Sequence, residues 1–284
     1  MQLKRLFLAG AMACAMLPGQ AAAAAILSTF AGPSAGDDFG GCGGVSGTTS
    51  AAVGPCQDSW GLADAKASAR VGHVGADAHA VYYSGGVTRG GSAATYTDTV
   101  VFSGPGTGPI PVALNLAFAG RINSSLGGGA DLRVSAILNG QFAFTLHEAV
   151  ADGVVVTCDV LVGGGWTGCA RGYNGFFTTV PVSVGLGGPV SFQLLMEANV
   201  GVGGPAGTAS IEFDNSLDFV TGQDLFVLPA GYTANSDDGL IVNNRFIGNA
   251  APQPTLPEPG TLSLLAASVL AIVARRPRHD RRRA

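Results

Sequence analysis

Charge is scarce in this chain: Asp, Glu, Lys and Arg make up only 12% of its 284 residues. A chain kept unfolded by self-repulsion needs far more charge and less apolar content than the 47% present here. Basic residues are the rarest of the charged set. Between Ile26 and Leu256 there are seven Lys and Arg against seventeen Asp and Glu, a net of about −10. Such a body repels nucleic acid and anionic lipid headgroups. Histidine is equally sparse, with four residues, His73, His79, His147 and His279. His147-Glu148 lacks the second histidine of a zincin helix, and no Gly-x-Ser-x-Gly elbow occurs. The glycine runs Gly127–Gly129 and Gly163–Gly165 lack the lysine and the strand-to-helix setting of a phosphate loop. Stretches of helical periodicity between strands are missing too, which excludes a parallel α/β sheet. No catalytic constellation and no cofactor site is legible, so the chain is not expected to be an enzyme.

What is present is β structure. Ala63, Ala65, Ala67, Ala69 and Val71 alternate with Asp64, Lys66, Ser68 and Arg70, the period of a half-buried strand. A helix over the same stretch would leave no clean apolar stripe. Further strands are predicted over Ala76–Tyr83, Tyr96–Phe102, Val112–Ala119, Leu132–Leu138, Phe142–Ala149, Val154–Val162, Thr178–Val184, Val190–Ala198, Ala209–Phe213, Leu217–Val220 and Leu225–Leu228. Asn139-Gly140 between two of them is a hairpin signal, because a type I′ turn needs positive φ at both positions. The 44 glycines punctuate the pattern. The expected fold is all-β, a sandwich or jelly-roll-like body over residues 26–247.

Both ends look like processing segments. Lys4 and Arg5, the apolar run Leu6–Leu17, the break at Pro18-Gly19 and the alanines Ala21–Ala25 read in order as a signal peptide over residues 1–25. Residues 248–256 form a Pro-containing linker. Pro257-Glu258-Pro259 comes next, then the uncharged stretch 260–274, then Arg275, Arg276, Arg278, Arg281, Arg282 and Arg283. Fifteen residues of helix cover roughly 22 Å, short for a bilayer core of about 30 Å, with snorkelling arginines and local thinning making up the difference. The arginines are the positive-inside stop.

This order resembles the PEP-CTERM sorting signal. The resemblance covers the last 30 or so residues. It implies a Gram-negative source, secretion, and a transient inner-membrane anchor through the helix. It further implies recognition by an exosortase, with Pro257, Glu258 and Pro259 as the sorting motif, and delivery to the cell surface or extracellular matrix. Such proteins are often associated with exopolysaccharide and biofilm. The expected role is structural or adhesive, with no nucleic-acid partner.

Removing the signal peptide leaves Cys42, Cys56, Cys158 and Cys169. An even count in an exported chain reads as two disulfides, and proximity favours Cys42–Cys56 and Cys158–Cys169 among three connectivities. Neither pair has the spacing of a zinc knuckle. His73 and His79, with Asp77 between them, read as a solvated face rather than a metal site. Asp37-Asp38, Asp214-Asn215, Asp218 and Asn235–Gly239 offer oxygens to Ca²⁺ without completing a calcium loop. Trp166 and Tyr173, near Phe176-Phe177, are candidates for stacking on sugars if exposed. The alternatives are a calcium-dependent lectin and a secreted carbohydrate-active hydrolase, the latter pairing Glu148 with Glu197 or Glu212 about 5 Å apart.

Overall fold

The computed structural model describes residues 24–34, 44–47, 50–57, 61–70, 72–83, 85–161, 168–204, 207–220, 222–237 and 239–247. They form eighteen strands: β1 Ala24–Ser34, β2 Gly44–Gly47, β3 Ser50–Gln57, β4 Gly61–Arg70, β5 His73–Tyr82, β6 Val87–Ser103, β7 Ile110–Ser124, β8 Gly128–Leu138, β9 Gln141–Ala151, β10 Val154–Leu161, β11 Gly172–Thr178, β12 Val182–Val184, β13 Pro189–Val202, β14 Thr208–Phe219, β15 Phe226–Val227, β16 Thr233–Ser236, β17 Ile241–Val242 and β18 Arg245–Phe246. The compact unit that holds them ends at Gly248.

Two antiparallel sheets of eight strands each face one another in a sandwich-like arrangement. The first runs β10-β9-β8-β13-β6-β1-β2, with β16 pairing β6 beyond the end of β1. The second runs β11-β7-β14-β5-β4-β3, with β12 and β15 completing the two edges of β7. The alternation read from the sequence sets the inner faces. Ala63, Ala65, Ala67 and Ala69 of β4 are all buried, while Asp64, Lys66, Ser68 and Arg70 point outward. The same period fills the core from β8, β13 and β7 with Leu132, Val134, Leu194, Met196, Leu116 and Phe118.

Turn chemistry closes the hairpins. Asn139 and Gly140 both have positive φ, 52° and 73°, as a type I′ turn requires. Asp152-Gly153 does the same between β9 and β10, with φ of 51° and 75°. Several expected strands are longer than the sequence indicates. β6 begins nine residues before Tyr96, because Val87–Thr95 pairs with β1 and β13. The expected strand Thr178–Val184 is split: β11 ends at Thr178 and β12 starts at Val182, both on β7. Ala209–Phe213 and Leu217–Val220 are one strand, β14, interrupted by a bulge.

Candidate functional site

The β4–β5 hairpin turns at Gly72, whose φ of +68° suits glycine. Arg70 thereby pairs with His73, and Ser68 with Gly75. On the other side of β5, Asp218 of β14 pairs with His73. Three outward-facing side chains from three strands meet here. His73 Nδ1 lies 2.7 Å from Asp218 Oδ1, and His73 Nε2 lies 3.1 Å from Ser68 Oγ. Asp218 reaches its place because β14 bulges: Phe213 pairs with Ala76 and Leu217 with Val74, so residues 214–216 stand opposite Gly75 alone. Although His73 belongs to the outer row of its strand, it is only 3% exposed. With the carboxylate on Nδ1, that nitrogen carries the proton, and in the neutral ring Nε2 is then an acceptor for the serine hydroxyl.

Each sheet also carries on its outer face a histidine flanked by two carboxylates. On the second sheet, His79 contacts Asp64 at 2.8 Å and Glu212 at 4.0 Å, and Arg121 caps Glu212 at 2.6 Å. On the first, His147 contacts Asp131 at 2.9 Å and Asp159 at 3.9 Å, with Arg133 on Asp131 at 3.2 Å. These half-exposed pairs are screened by solvent and contribute little stability. Among the described residues no group of three His, Cys, Asp or Glu is arranged to hold a metal ion.

A second polar centre lies between the sheets. Glu148, on the inner row of β9, is fully buried. Its carboxylate accepts hydrogen bonds from the Tyr173 hydroxyl and from the Arg171 backbone N–H, the latter at 3.2 Å. Burial is the main influence on Glu148 and raises its pKa above the ordinary 4.5, while these hydrogen bonds and the Arg171 charge pull the other way. Burial and the neighbouring carboxylate push the Tyr173 hydroxyl up as well. Cys158 pairs with Glu148 across β10 and β9 and is disulfide-bonded to Cys169, with Cα atoms 5.8 Å apart. The bridge thus fastens the segment that supplies Arg171 and Tyr173.

Several sequence expectations are corrected. Tyr173 presents no face to a sugar. It is 9% exposed, its ring packs 5.0 Å from Phe118 and 5.9 Å from Phe213, and its hydroxyl is committed to Glu148. Among the described residues of this stretch, the exposed ring is Phe176, at 69%. The acid pair of a glycosidase is not assembled, because Glu148 is in the core, Glu197 on the outer row of β13 and Glu212 on the outer face of the other sheet. His73 and His79 share the outer row of β5, but only His79 is on a solvated face; His73 is buried against Asp218.

The disulfide Cys158–Cys169 is formed as expected. Cys56 is also disulfide-bonded, while Cys42 lies outside the described residues. So do Trp166, Asp37, Asp38 and Asp238, the sorting motif Pro257–Pro259, the apolar stretch 260–274 and the six terminal arginines. Among the described residues no helix is long and apolar enough to cross a membrane. No family model, curated protein or solved structure matches the chain.

Sequence reasoning missed the Ser68–His73–Asp218 chain. Ser68 and His73 are five residues apart, and a hairpin at Gly72 puts them on one face, so that half was accessible. Asp218 is 145 residues from His73 and arrives only through the bulge in β14.

Proposed function

We propose that the chain is an exported structural or adhesive protein of the bacterial cell surface or extracellular matrix, sorted by a PEP-CTERM-type tail. One observation carries this reading: Pro257-Glu258-Pro259, an uncharged stretch and six arginines stand in that order at one end, with a signal-peptide pattern at the other. The two prolines favour an extended backbone around Glu258, the form a processing enzyme can thread. An anchored intermediate in the inner membrane, exosortase recognition and removal of the tail are implied by the same resemblance. A disulfide between Cys158 and Cys169 suits an oxidising compartment outside the cytosol. A β body with two broad outer faces suits matrix contact without turnover, and exopolysaccharide is the partner class. On this reading Phe176, with Asn174 on the same outward row of β11, is the stacking position that Tyr173 cannot be.

Fractionation of the native host, with C-terminal mass spectrometry of the recovered protein, tests the address. We expect the protein at the surface or in the matrix with its tail removed. Deleting Pro257–Pro259 is expected to leave an uncleaved, membrane-bound chain. Full-length protein, tail attached, in the soluble cytosol would overturn the reading.

A further inference from the structure

We infer that Ser68 is an activated nucleophile, an acceptor site for an acyl group from an activated ester or thioester. The inference is independent of the sorting proposal and rests on the geometry of three side chains. The hydroxyl of Ser68 lies 3.1 Å from His73 Nε2, and Asp218 Oδ1 lies 2.7 Å from His73 Nδ1. Both distances fall within the hydrogen-bond reach required of nucleophile, base and orienting acid. The base is sheltered, with His73 only 3% exposed, whereas Ser68 is half-buried on the outer face.

The residues paired with Ser68 across the sheet are small. The residue paired with Ser68 on β5 is Gly75, which has no side chain, and the one paired on β3 is Ser50, exposed and small. The inference requires a carbonyl carbon to reach Oγ here, between the outward-facing Lys66 and Arg70 of the same strand. In the step, Oγ bonds to the carbonyl carbon and its proton passes to His73 Nε2. The ester or thioester C–O or C–S bond breaks, and the proton leaves with the departing alcohol or thiol. No oxidant or further reactant is needed.

The same setting limits turnover. β4 is paired on both sides at Ser68, with Ser50 and with Gly75, so the strand's backbone N–H groups serve the ladders and do not form an oxyanion hole. Donors of that kind supply about 10²–10³-fold in acyl transfer. Acylation by a reactive donor is therefore expected to be stoichiometric, with slow release of the acyl group.

The test uses the full purified chain and p-nitrophenyl acetate, with intact and peptide mass spectrometry. The expected result is a burst of one p-nitrophenolate per chain and one acetyl group on Ser68. Ser68→Ala is expected to abolish the burst, whereas Ser50→Ala, altering the adjacent serine, leaves it unchanged. Asp218→Asn is expected to slow acylation by about 10²–10⁴-fold, with circular dichroism confirming that the variant is folded. If that variant does not fold, the adduct map and the two serine variants decide alone. Absence of an adduct on Ser68, an equal adduct on Ser50, or an undiminished rate in a folded Asp218→Asn protein would overturn the inference.

Discussion

Two regions of the sandwich are built to different thicknesses. Where β4 and β5 cross β6, the inner face is alanine: Ala63, Ala65 and Ala67 on one strand, Ala76, Ala78 and Ala80 on the next. Cα atoms of β4 and β5 there come within 8 Å of β6, closer than the roughly 10 Å usual between packed sheets. Gly90 of β6 marks one such close approach. A Cβ at that position would meet the backbone oxygens of Asp64 at 3.0 Å and His79 at 3.1 Å. On the side closed by β7, β9, β11 and β14 the filling is aromatic instead. Phe118 stands 5.1 Å from Phe213 and 5.0 Å from Tyr173, and Phe144 stands 4.6 Å from Phe177. Side-chain size sets the local sheet separation. The thin region derives its stability from close backbone contact, whereas the thick region relies on ring burial and the disulfide beside it.

Truncating a ring in the thick region is the harshest way to break this contrast. Phe118→Ala is expected to cost about 3–5 kcal/mol, measured by urea unfolding, because its neighbours Tyr173 and Phe213 are held by sheets that cannot collapse around the gap. Next, Cys158→Ser opens the loop that seals the same side. Its separation of eleven residues corresponds to about 3 kcal/mol in the chain-entropy account, read as a lower unfolding midpoint and a smaller further shift on adding reductant, which then opens only the Cys56 bridge. In the thin region, Gly90→Ala is expected to cost about 1–3 kcal/mol by overpacking, whereas alanine at a loosely filled position would be tolerated. A small effect of Gly90→Ala would show that the sheets can part there.

The mildest effect is one of slope. Glu148 has a raised pKa in the folded protein, so folding favours its protonated form. Its contribution is fully present below the ordinary value of 4.5 and is lost as pH rises through the raised folded value. Glu148→Gln is expected to flatten this part of the stability profile while keeping an oxygen for the Arg171 N–H. Thermal midpoints at about pH 4 and about pH 8 give the comparison. A wild-type profile no steeper than that of the variant would mean that Glu148 stays charged without cost.

How much of this was legible depends on the range of the interaction. Period-two alternation located β4, and Asn139-Gly140 located the hairpin between β8 and β9, because both signals are local. Strand ends at Val87 and Val202 were hidden, since glycines and polar residues such as Gly90 and Gly91 become strand only by pairing on both sides. Tyr173 illustrates the same limit at the level of function. Its neighbours in sequence are exposed glycine and asparagine, and only the rings from β7 and β14 and the Glu148 carboxylate fix it inside. The Cys158–Cys169 bridge was legible because proximity in sequence and in space coincide there.

The closing hairpin of the body has a chemical vulnerability. Asn244, at the turn between β17 and β18, acts as a substitute strand for β15: its Oδ1 accepts from Phe226 N at 2.9 Å and its Nδ2 donates to Phe226 O at 2.7 Å. Such a clamp requires an amide, with a donor and an acceptor on one group. Hydrolysis to aspartate, the ordinary ageing reaction of asparagine, would set oxygen against oxygen at Phe226. The backbone bond from Leu225 N–H to the Asn244 carbonyl and the pairing of β15 with β7 would remain, so a change of a single dalton would loosen one side of β15 without freeing it.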